Sequence, residues 1–226
     1  MKTGNSSREK ASRENATAQL NLYEQSMPDL IDKMYFEQLS TLDPVEVCSR
    51  ARCTYDGTDR CYTVAVWDQN YRVYPHLMQV EPAGDGAEKL HPYFDLFLVH
   101  YLLRAKAITP AGQWISEKDI PGGATFFRGP HAIPTESLSG RFGNDLPAFK
   151  SRCEQLGGLP LDLADAAFVF AIAPRIPIAV LYWEGDEEFP AEAKVLFDQT
   201  VAQHLAADII FAAAVGICER LGEASG

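Results

Sequence analysis

Apolar residues recur at helical spacing along residues 93–107, and they cover more than one side of the predicted helix. This pattern predicts a central core helix. His100 and Arg104 lie one turn apart and form a narrow polar stripe on it. The apolar positions of the main face are Phe94, Phe97, Leu98, Tyr101, Leu102 and Ala105.

Three other segments have strand patterns. β-Branched and aromatic residues flank the Asp56-Gly57 turn within residues 51–75, which predicts an antiparallel meander. Residues 165–183 contain two continuous apolar runs joined at Pro174-Arg175. Runs of this kind are typical of adjacent strands buried on both faces, so we expect a central antiparallel hairpin. A short strand is also expected around Trp114.

The N-terminal region divides into two parts. Residues 1–14 hold almost no apolar side chains, so they are predicted to be a disordered tail. Residues 16–39 have mixed three and four spacing of apolar positions, interrupted at Met27-Pro28, which predicts two helices or one broken helix. Residues 15–226 are therefore expected to form a single α+β domain with an N-terminal helical segment.

Residues 108–134 are predicted to be irregular apart from the strand at Trp114, and beyond residue 135 the chain outside the hairpin is predicted to be largely helical. The stretch that begins at residue 136 contains Gly140 and Gly143, which should break it into pieces. Asp208 is expected to cap the last helix, which covers residues 207–221. Pro190 is expected to start the helix before it, which covers residues 191–205. Together with the strands, these helices predict an α+β fold in which helices pack on an antiparallel sheet. The three helical stretches are 136–156, 191–205 and 207–221.

Composition limits the partners. The chain has 226 residues, 46% of them hydrophobic, and a formal charge of −11. A strongly acidic protein is repelled by phosphate backbones and anionic lipid, so neither a nucleic acid nor a membrane is an expected partner. No apolar run reaches membrane-spanning length, and the polar start resembles no secretory signal. These features predict a cytoplasmic protein and leave its oligomeric state open.

The five cysteines are scattered and form no C-x-x-C pair, which favours reduced thiols over a disulfide framework. Cys48, Cys53 and Cys61 are the nearest to a cluster, but their spacing matches no zinc or iron–sulfur pattern. We therefore expect no intrinsic iron–sulfur cluster. Free cysteines often serve as small buried hydrophobic residues, and that interpretation is favoured here.

Two places could hold a ligand. His100 and Arg104 could bind an anionic group, although one polar stripe on an apolar helix is also a common feature without function. The loop FFRGPH at residues 126–131 offers Phe127, Arg128 and His131, but an aromatic pair is also an ordinary way to pin a loop to a core. Trp183, at the end of the hairpin, is the sixth candidate ligand-binding residue.

An acidic segment, WEGDEEF at residues 183–189, follows the hairpin directly. If its side chains point to water, it is a solvated turn. If they converge, a hard cation such as Mg²⁺ or Ca²⁺ would be needed to relieve their repulsion. The candidate metal ligands are Glu184, Asp186, Glu187, Glu188 and Asp198.

Several motifs follow one another along the chain. They are HYLL at 100–103, Gly-x-Trp at 112–114, IPGG then Phe at 120–126, and PIAVLYWEGDEEFPAEAKVLFD at 177–198, followed by Leu205 and Asp208. Together these motifs resemble one uncharacterised family, DUF3786. The resemblance runs from about residue 20 to residue 222 and implies an origin in anaerobic bacteria and archaea. Some relatives look fused to a small four-cysteine module like that of corrinoid iron–sulfur proteins, which implies an accessory role near anaerobic metallocofactor or one-carbon chemistry.

The chain departs from that family pattern in two respects. It lacks the four-cysteine cluster, which argues against intrinsic electron transfer. The family pattern also places Thr-Glu before the equivalent of Asp208, where this chain has Ala206-Ala207, so a catalytic Glu at that place is excluded.

Two hypotheses follow. The favoured one is a noncatalytic module that binds a small anionic or tetrapyrrole-like ligand, or a partner metalloprotein, in a pocket between the core helix, the FFRGPH loop and the WEGDEEF loop. The alternative is a metal-dependent enzyme in which the acidic residues hold a divalent ion and His100 or His131 acts as general base. A divalent cation and a tetrapyrrole or corrinoid both stay open as cofactors.

Overall fold

A computed structural model describes residues 30–67, 69–84 and 89–223. Within these residues there are eight α-helices and two antiparallel sheets, so the predicted α+β fold is confirmed. The predicted tail at 1–14 and the break at Met27-Pro28 lie outside the described residues. The helices are α1 Lys33–Thr41, α2 Pro44–Ala51, α3 Pro92–Arg104, α4 Gly123–Phe126, α5 Glu136–Phe142, α6 Leu146–Gln155, α7 Val201–His204 and α8 Ala207–Gly222.

Four strands form the first sheet, in the order β1-β2-β3-β4, with every neighbouring pair antiparallel. This confirms the predicted meander. Alternate side chains of β2 and β3, such as Val64 and Tyr71, are buried, as expected for a sheet with one face on the core. These strands are β1 Thr54–Asp56, β2 Cys61–Val66, β3 Gln69–Tyr74 and β4 Gln79–Ala83.

Five strands form the second sheet, in the order β5-β9-β8-β7-β6, again with antiparallel neighbours. The pairing of β7 with β8 confirms the predicted hairpin, and β8 is the central strand. The short strand at Trp114 is confirmed as β5. The strands are β5 Trp114–Ile115, β6 Leu159–Pro160, β7 Ala166–Ala173, β8 Ile176–Trp183 and β9 Glu192–Asp198.

The helix predicted over 191–205 is wrong, and so is its start at Pro190. Residues 192–198 of the segment form β9, and only the single turn of α7 at 201–204 is helical. Ala193, Val195 and Phe197 alternate toward the core at the two-residue period of a strand. Residues 192–197 pair with the free edge of β8, and this pairing outweighs the helix propensity of the Ala, Glu and Lys residues.

The remaining helix predictions hold with two corrections. Helix α3 is the predicted core helix, with seven of its side chains buried. The stretch from residue 136 breaks once, at Gly143, where φ is 51°, and Gly140 stays within α5. Asp208 does not cap α8, because the N-cap residue is Ala206 and Asp208 lies inside the first turn. Among the described residues, no helix is both long and apolar enough to cross a membrane.

Helices α3 and α8 approach closely at Gly216, and this contact gives a first prediction. A Cβ atom at Gly216 would lie 2.5 Å from Cε2 of Phe94, whose ring is fully buried. We therefore expect Gly216→Ala to lower the free energy of unfolding by about 1–2 kcal/mol, because overpacking outweighs the gain in helix propensity. Urea unfolding followed by circular dichroism measures the change.

Gly140→Ala is the matched control. Gly140 also lies inside a helix, but nothing lies within 4 Å of the position of an added Cβ. Here only the propensity gain acts, so we expect stabilisation by about 0.5–1 kcal/mol. Equal effects of the two substitutions would contradict close packing at Gly216.

Candidate functional site

An open pocket of about 530 Å³ lies where the C-terminal end of α3 meets α7 and the start of α8. This volume falls within the usual range for small-molecule sites. Residues from α1, α3, α7, α8 and the linkers after α3 and α7 contribute side chains to it. The lining residues are Tyr35, His100, Arg104, Lys106, Ala202, Gln203, His204, Leu205, Ala206, Asp208 and Ile209.

His100 and Arg104, the polar stripe of the core helix, both line this pocket. The His100 ring packs against the ring of Tyr35, with centroids 4.3 Å apart. Burial lowers the pKa of His100, and the neighbouring charge of Arg104 lowers it further, against the opposing effect of Asp208. The imidazole is therefore neutral at pH 7. Arg104, which is exposed, presents its guanidinium at the last turn of α3.

His204 is the most informative residue of the pocket. It is only 2% exposed, and its Nδ1 accepts a hydrogen bond from the backbone N–H of Lys106 at 3.2 Å. Burial lowers the pKa of His204, and the charges of Arg175 and Lys106 lower it further. A neutral imidazole that accepts at Nδ1 carries its proton on Nε2. That Nε2 has no hydrogen-bond partner within the described residues.

Two cations and one carboxylate set the charge of the pocket. Neither Arg104 nor Lys106 forms a salt bridge with any residue that the structure describes. Asp208 lies in the first turn of α8, which has no side-chain cap because Ala206 carries no oxygen. The positive end of the α8 dipole therefore faces the same region as the two cations. At pH 7 the pocket is positive, although the chain as a whole is acidic.

The FFRGPH loop does not reach this pocket. Phe127 is buried, whereas Arg128 and His131 are exposed. The His131 ring stacks on Phe126 at 4.6 Å and lies edge-on to Phe211 of α8 at 5.5 Å. The contacts of this loop are those of a segment pinned to the core by aromatic packing.

The WEGDEEF loop also lies apart from the pocket. Glu184, Asp186, Glu187 and Glu188 are all exposed. The Asp186 carboxylate accepts the backbone N–H groups of Glu188 and Phe189, each at 2.8 Å, and these bonds lower its pKa. The segment thus has the geometry of a turn closed by its own aspartate.

The base of this loop is anchored on both sides. Asn144 accepts the N–H of Gly185 at 2.8 Å and donates to its carbonyl at 3.0 Å. Trp183 is half-buried at the end of β8, where it packs beside Leu181 on one face of the sheet. None of these residues lines the pocket.

Asp198 lies at the far end of β9 from the acidic loop. The strand begins beside Trp183 and ends beside Trp114, about 20 Å away at the usual rise of an extended strand. The structure therefore does not bring Asp198 together with Glu184 or its neighbours. No group of three or more His, Cys, Asp or Glu side chains in the described ranges has an arrangement that could hold a metal ion.

Sequence reasoning missed His204 and Lys106. Neither belongs to a recognisable motif, and Lys106 contributes its backbone N–H as well as its charge. The available signal was weak: His204 is a lone histidine two residues before Ala206, just ahead of a predicted helix start. Only the approach of α7 to the end of α3 turns these residues into neighbours of His100.

Comparison with known proteins gives one family. The family model described as "Domain of unknown function (DUF3786)" matches residues 43–220, which include the pocket residues of α3, α7 and α8. No curated protein and no solved structure matches the chain.

Proposed function

Because the chain belongs to the DUF3786 family, a domain of unknown function, we propose its function from the pocket itself: it is a noncatalytic module that binds a small anionic ligand. The single observation that carries this proposal is the Nε2–H donor of His204, which has no hydrogen-bond partner in the part of the chain that the structure describes. A buried donor without a partner is costly, so such groups usually have one. An acceptor oxygen of a ligand, held directly or through water, would satisfy it.

The charges support an anion as the ligand. Arg104 and Lys106 add two cations to the pocket that His204 lines. The positive end of the α8 dipole reaches the same pocket, although in its first turn the Ile209 N–H already donates to the Asp208 carboxylate. Guanidinium groups bind carboxylates and phosphates through two parallel hydrogen bonds. The Asp208 carboxylate adds selectivity, because it disfavours a ligand with several negative charges and favours one that also carries a donor.

We also propose a cellular role for this module. We place this module in the cytoplasm, in an accessory role in anaerobic metallocofactor or one-carbon metabolism, as the family resemblance implies. A porphyrin or corrinoid that presents one carboxylate side chain to the pocket is one candidate ligand. The high negative charge of the chain argues against nucleic acid as the ligand.

Isothermal titration calorimetry with sulfate, inorganic phosphate and small mono- and dicarboxylates tests the proposal. We expect at least one of these probes to bind the wild-type protein. Arg104→Gln is expected to weaken that binding by about tenfold or more, since it removes a charge-assisted hydrogen bond of roughly 1.5–3 kcal/mol. Arg128→Gln is the matched control, because Arg128 is also exposed but does not line the pocket.

The pH dependence provides a second readout. His100 and His204 both have a lowered pKa, so they are neutral at pH 7 and gain charge only in more acidic solution. The affinity for sulfate, whose own charge is constant in this range, should therefore rise as the pH falls from 7 toward 5. A flat pH profile would contradict a charge contribution from the two imidazoles, whereas the neutral Nε2–H donor of His204 does not depend on such a charge.

Other outcomes identify the alternatives. If none of the anions binds, or if Arg104→Gln binds as wild type does, the anion proposal fails. If Mg²⁺, Mn²⁺ or Ca²⁺ raises the melting temperature of the wild type but not that of Asp186→Asn, the metal-dependent enzyme replaces it. A porphyrin or corrinoid titration whose absorption change is lost in Arg104→Gln would identify the anionic ligand as a tetrapyrrole.

A further inference from the structure

Two thiols face each other at the C-terminal end of α2. The Sγ atoms of Cys48 and Cys53 are 3.7 Å apart, and the N–H of Cys53 donates to the carbonyl of Cys48 at 3.3 Å. Both side chains are half-buried, whereas the other three cysteines are buried. Bonded sulfurs lie about 2.05 Å apart, so these two need to approach by less than roughly 2 Å to join.

The backbone between the two cysteines is held in place by its neighbours. Arg52 ends the helix in the left-handed conformation, at φ 53°. The guanidinium of Arg175 donates to the carbonyls of Arg50 at 2.5 Å and Ser49 at 3.5 Å, and the Tyr101 hydroxyl donates to that of Ala51 at 2.8 Å. Three successive carbonyls are thus bound. The closeness of the thiols is a consequence of the fold and not of a loose loop.

We propose that Cys48 and Cys53 form a redox modification site that closes to an intramolecular disulfide with a low-molecular-weight disulfide as oxidant. The Cys48 thiolate attacks one sulfur of the oxidant RSSR, forms a mixed disulfide and releases the first RS⁻. Cys53 then loses its proton, attacks the Cys48 sulfur and releases the second RS⁻. Both leaving thiolates take up the protons lost by the cysteines, so two protein thiols are oxidised while RSSR is reduced to two RSH.

The order of attack follows from the surroundings. Burial, and then the neighbouring Cys48, raise the pKa of Cys53, so its thiol is protonated at neutral pH. The thiolate is the nucleophile, so Cys53 is a poor first attacker, but its sulfur lies 3.7 Å from that of Cys48 and is therefore placed to resolve a mixed disulfide formed there. Cys61, Cys153 and Cys218 are buried, and burial also raises the pKa of each, so they should react with the oxidant far more slowly.

The test begins with the fully reduced wild-type protein. It is equilibrated with an excess of oxidised glutathione, quenched with acid, unfolded, alkylated and measured by intact mass and peptide mapping. We expect two of the five thiols to become unreactive toward the alkylating reagent, and the peptides containing Cys48 and Cys53 to be joined. All five thiols remaining alkylatable, or a disulfide that includes Cys61, would overturn the proposal.

Single variants test the order of attack. Cys53→Ser should stop at the mixed disulfide and retain glutathione on Cys48, whereas Cys48→Ser should react much more slowly and yield no internal disulfide. Glutathione accumulating equally on both variants would contradict the assigned order. These readouts need no ligand, so they stand independently of the anion-binding experiment.

Discussion

Replacing Arg175 with methionine is expected to lower the free energy of unfolding by about 3–5 kcal/mol, since three charge-assisted hydrogen bonds are lost and the two shorter ones are worth roughly 1.5–3 kcal/mol each. Arg175 lies in the turn between β7 and β8, yet it is only 6% exposed. Its guanidinium donates to the carbonyls of Arg50 at 2.5 Å, Ile108 at 3.0 Å and Ser49 at 3.5 Å. Methionine fills a similar space but donates no hydrogen bond.

Denaturant unfolding of matched variants measures this effect. Arg128→Met is the control, because the Arg128 side chain is exposed, and surface substitutions usually change stability by less than about 0.5 kcal/mol. Arg175→Lys should fall between the two, since an ammonium group keeps the charge but cannot reach carbonyls on both sides as a planar guanidinium does. Equal unfolding midpoints for Arg175→Met and Arg128→Met would contradict the structural role of Arg175.

Replacing Asp198 with alanine is the second large effect that we expect, at about 2–4 kcal/mol of lost stability, because two buried donors of Thr200 and two partly buried backbone donors lose their acceptor. Asp198 is 1% exposed, and its carboxylate accepts four hydrogen bonds. The donors are the N–H of Ala111 at 3.1 Å, the N–H of Gly112 at 2.7 Å, and the N–H and hydroxyl of Thr200 at 3.0 and 2.6 Å.

These bonds also determine how the contribution of Asp198 depends on pH. Burial acts to raise the pKa of Asp198, but the hydrogen bonds from Thr200, Ala111 and Gly112 outweigh it, and the pKa is lowered. The folded protein therefore binds fewer protons here than the unfolded chain, whose aspartates titrate near about 3.9. The stabilisation is fully present above that pH and is lost as the pH falls through the lower pKa of the folded state.

Thermal unfolding of wild type and Asp198→Asn between neutral and strongly acidic pH tests this prediction. The difference in stability should be large at neutral pH and should shrink in acid. Glu192→Gln, at the exposed start of the same strand, should leave stability nearly unchanged. If millimolar Ca²⁺ raised the melting temperature of the wild type but not that of Asp198→Asn, Asp198 would instead be a cation ligand, as the sequence had suggested.

The sequence predicted elements best where a local pattern matches one kind of burial. Helix α3 is apolar on more than one side and both strands of the β7–β8 hairpin are apolar along their length, so few other arrangements could bury them. Strand β9 was mistaken for a helix because its Glu, Ala, Lys and Leu residues have high helix propensity. The alternation of Ala193, Val195 and Phe197 was visible in the sequence, but the pairing of β9 with the edge of the preceding strand β8, across residues 184–191, was not.

Part of the candidate site could also be predicted from the sequence. The one-turn spacing of His100 and Arg104 on an otherwise apolar helix marked the stripe that lines the pocket. The conspicuous loops FFRGPH and WEGDEEF were placed beside that stripe in the hypothesis, but the structure holds each of them elsewhere, by aromatic stacking and by a self-closed turn. The unusual composition of these two segments indicated that each is a loop, but it carried no information about where in the fold each loop lies.

The sequence by itself determined the class of fold, the core helix, the meander and the central hairpin, because the period of apolar residues is a local property that burial must satisfy. Only the tertiary structure decided that β9 is a strand and that Arg175 binds the end of α2. It also decided that the Asp198 carboxylate accepts hydrogen bonds from several donors, and that His204 lies beside Lys106 and lines the same pocket as His100. The physical reason is the same in each case. These features depend on hydrogen-bonding groups from distant segments, and a donor or acceptor gives no sign in the sequence of which distant partner it will meet.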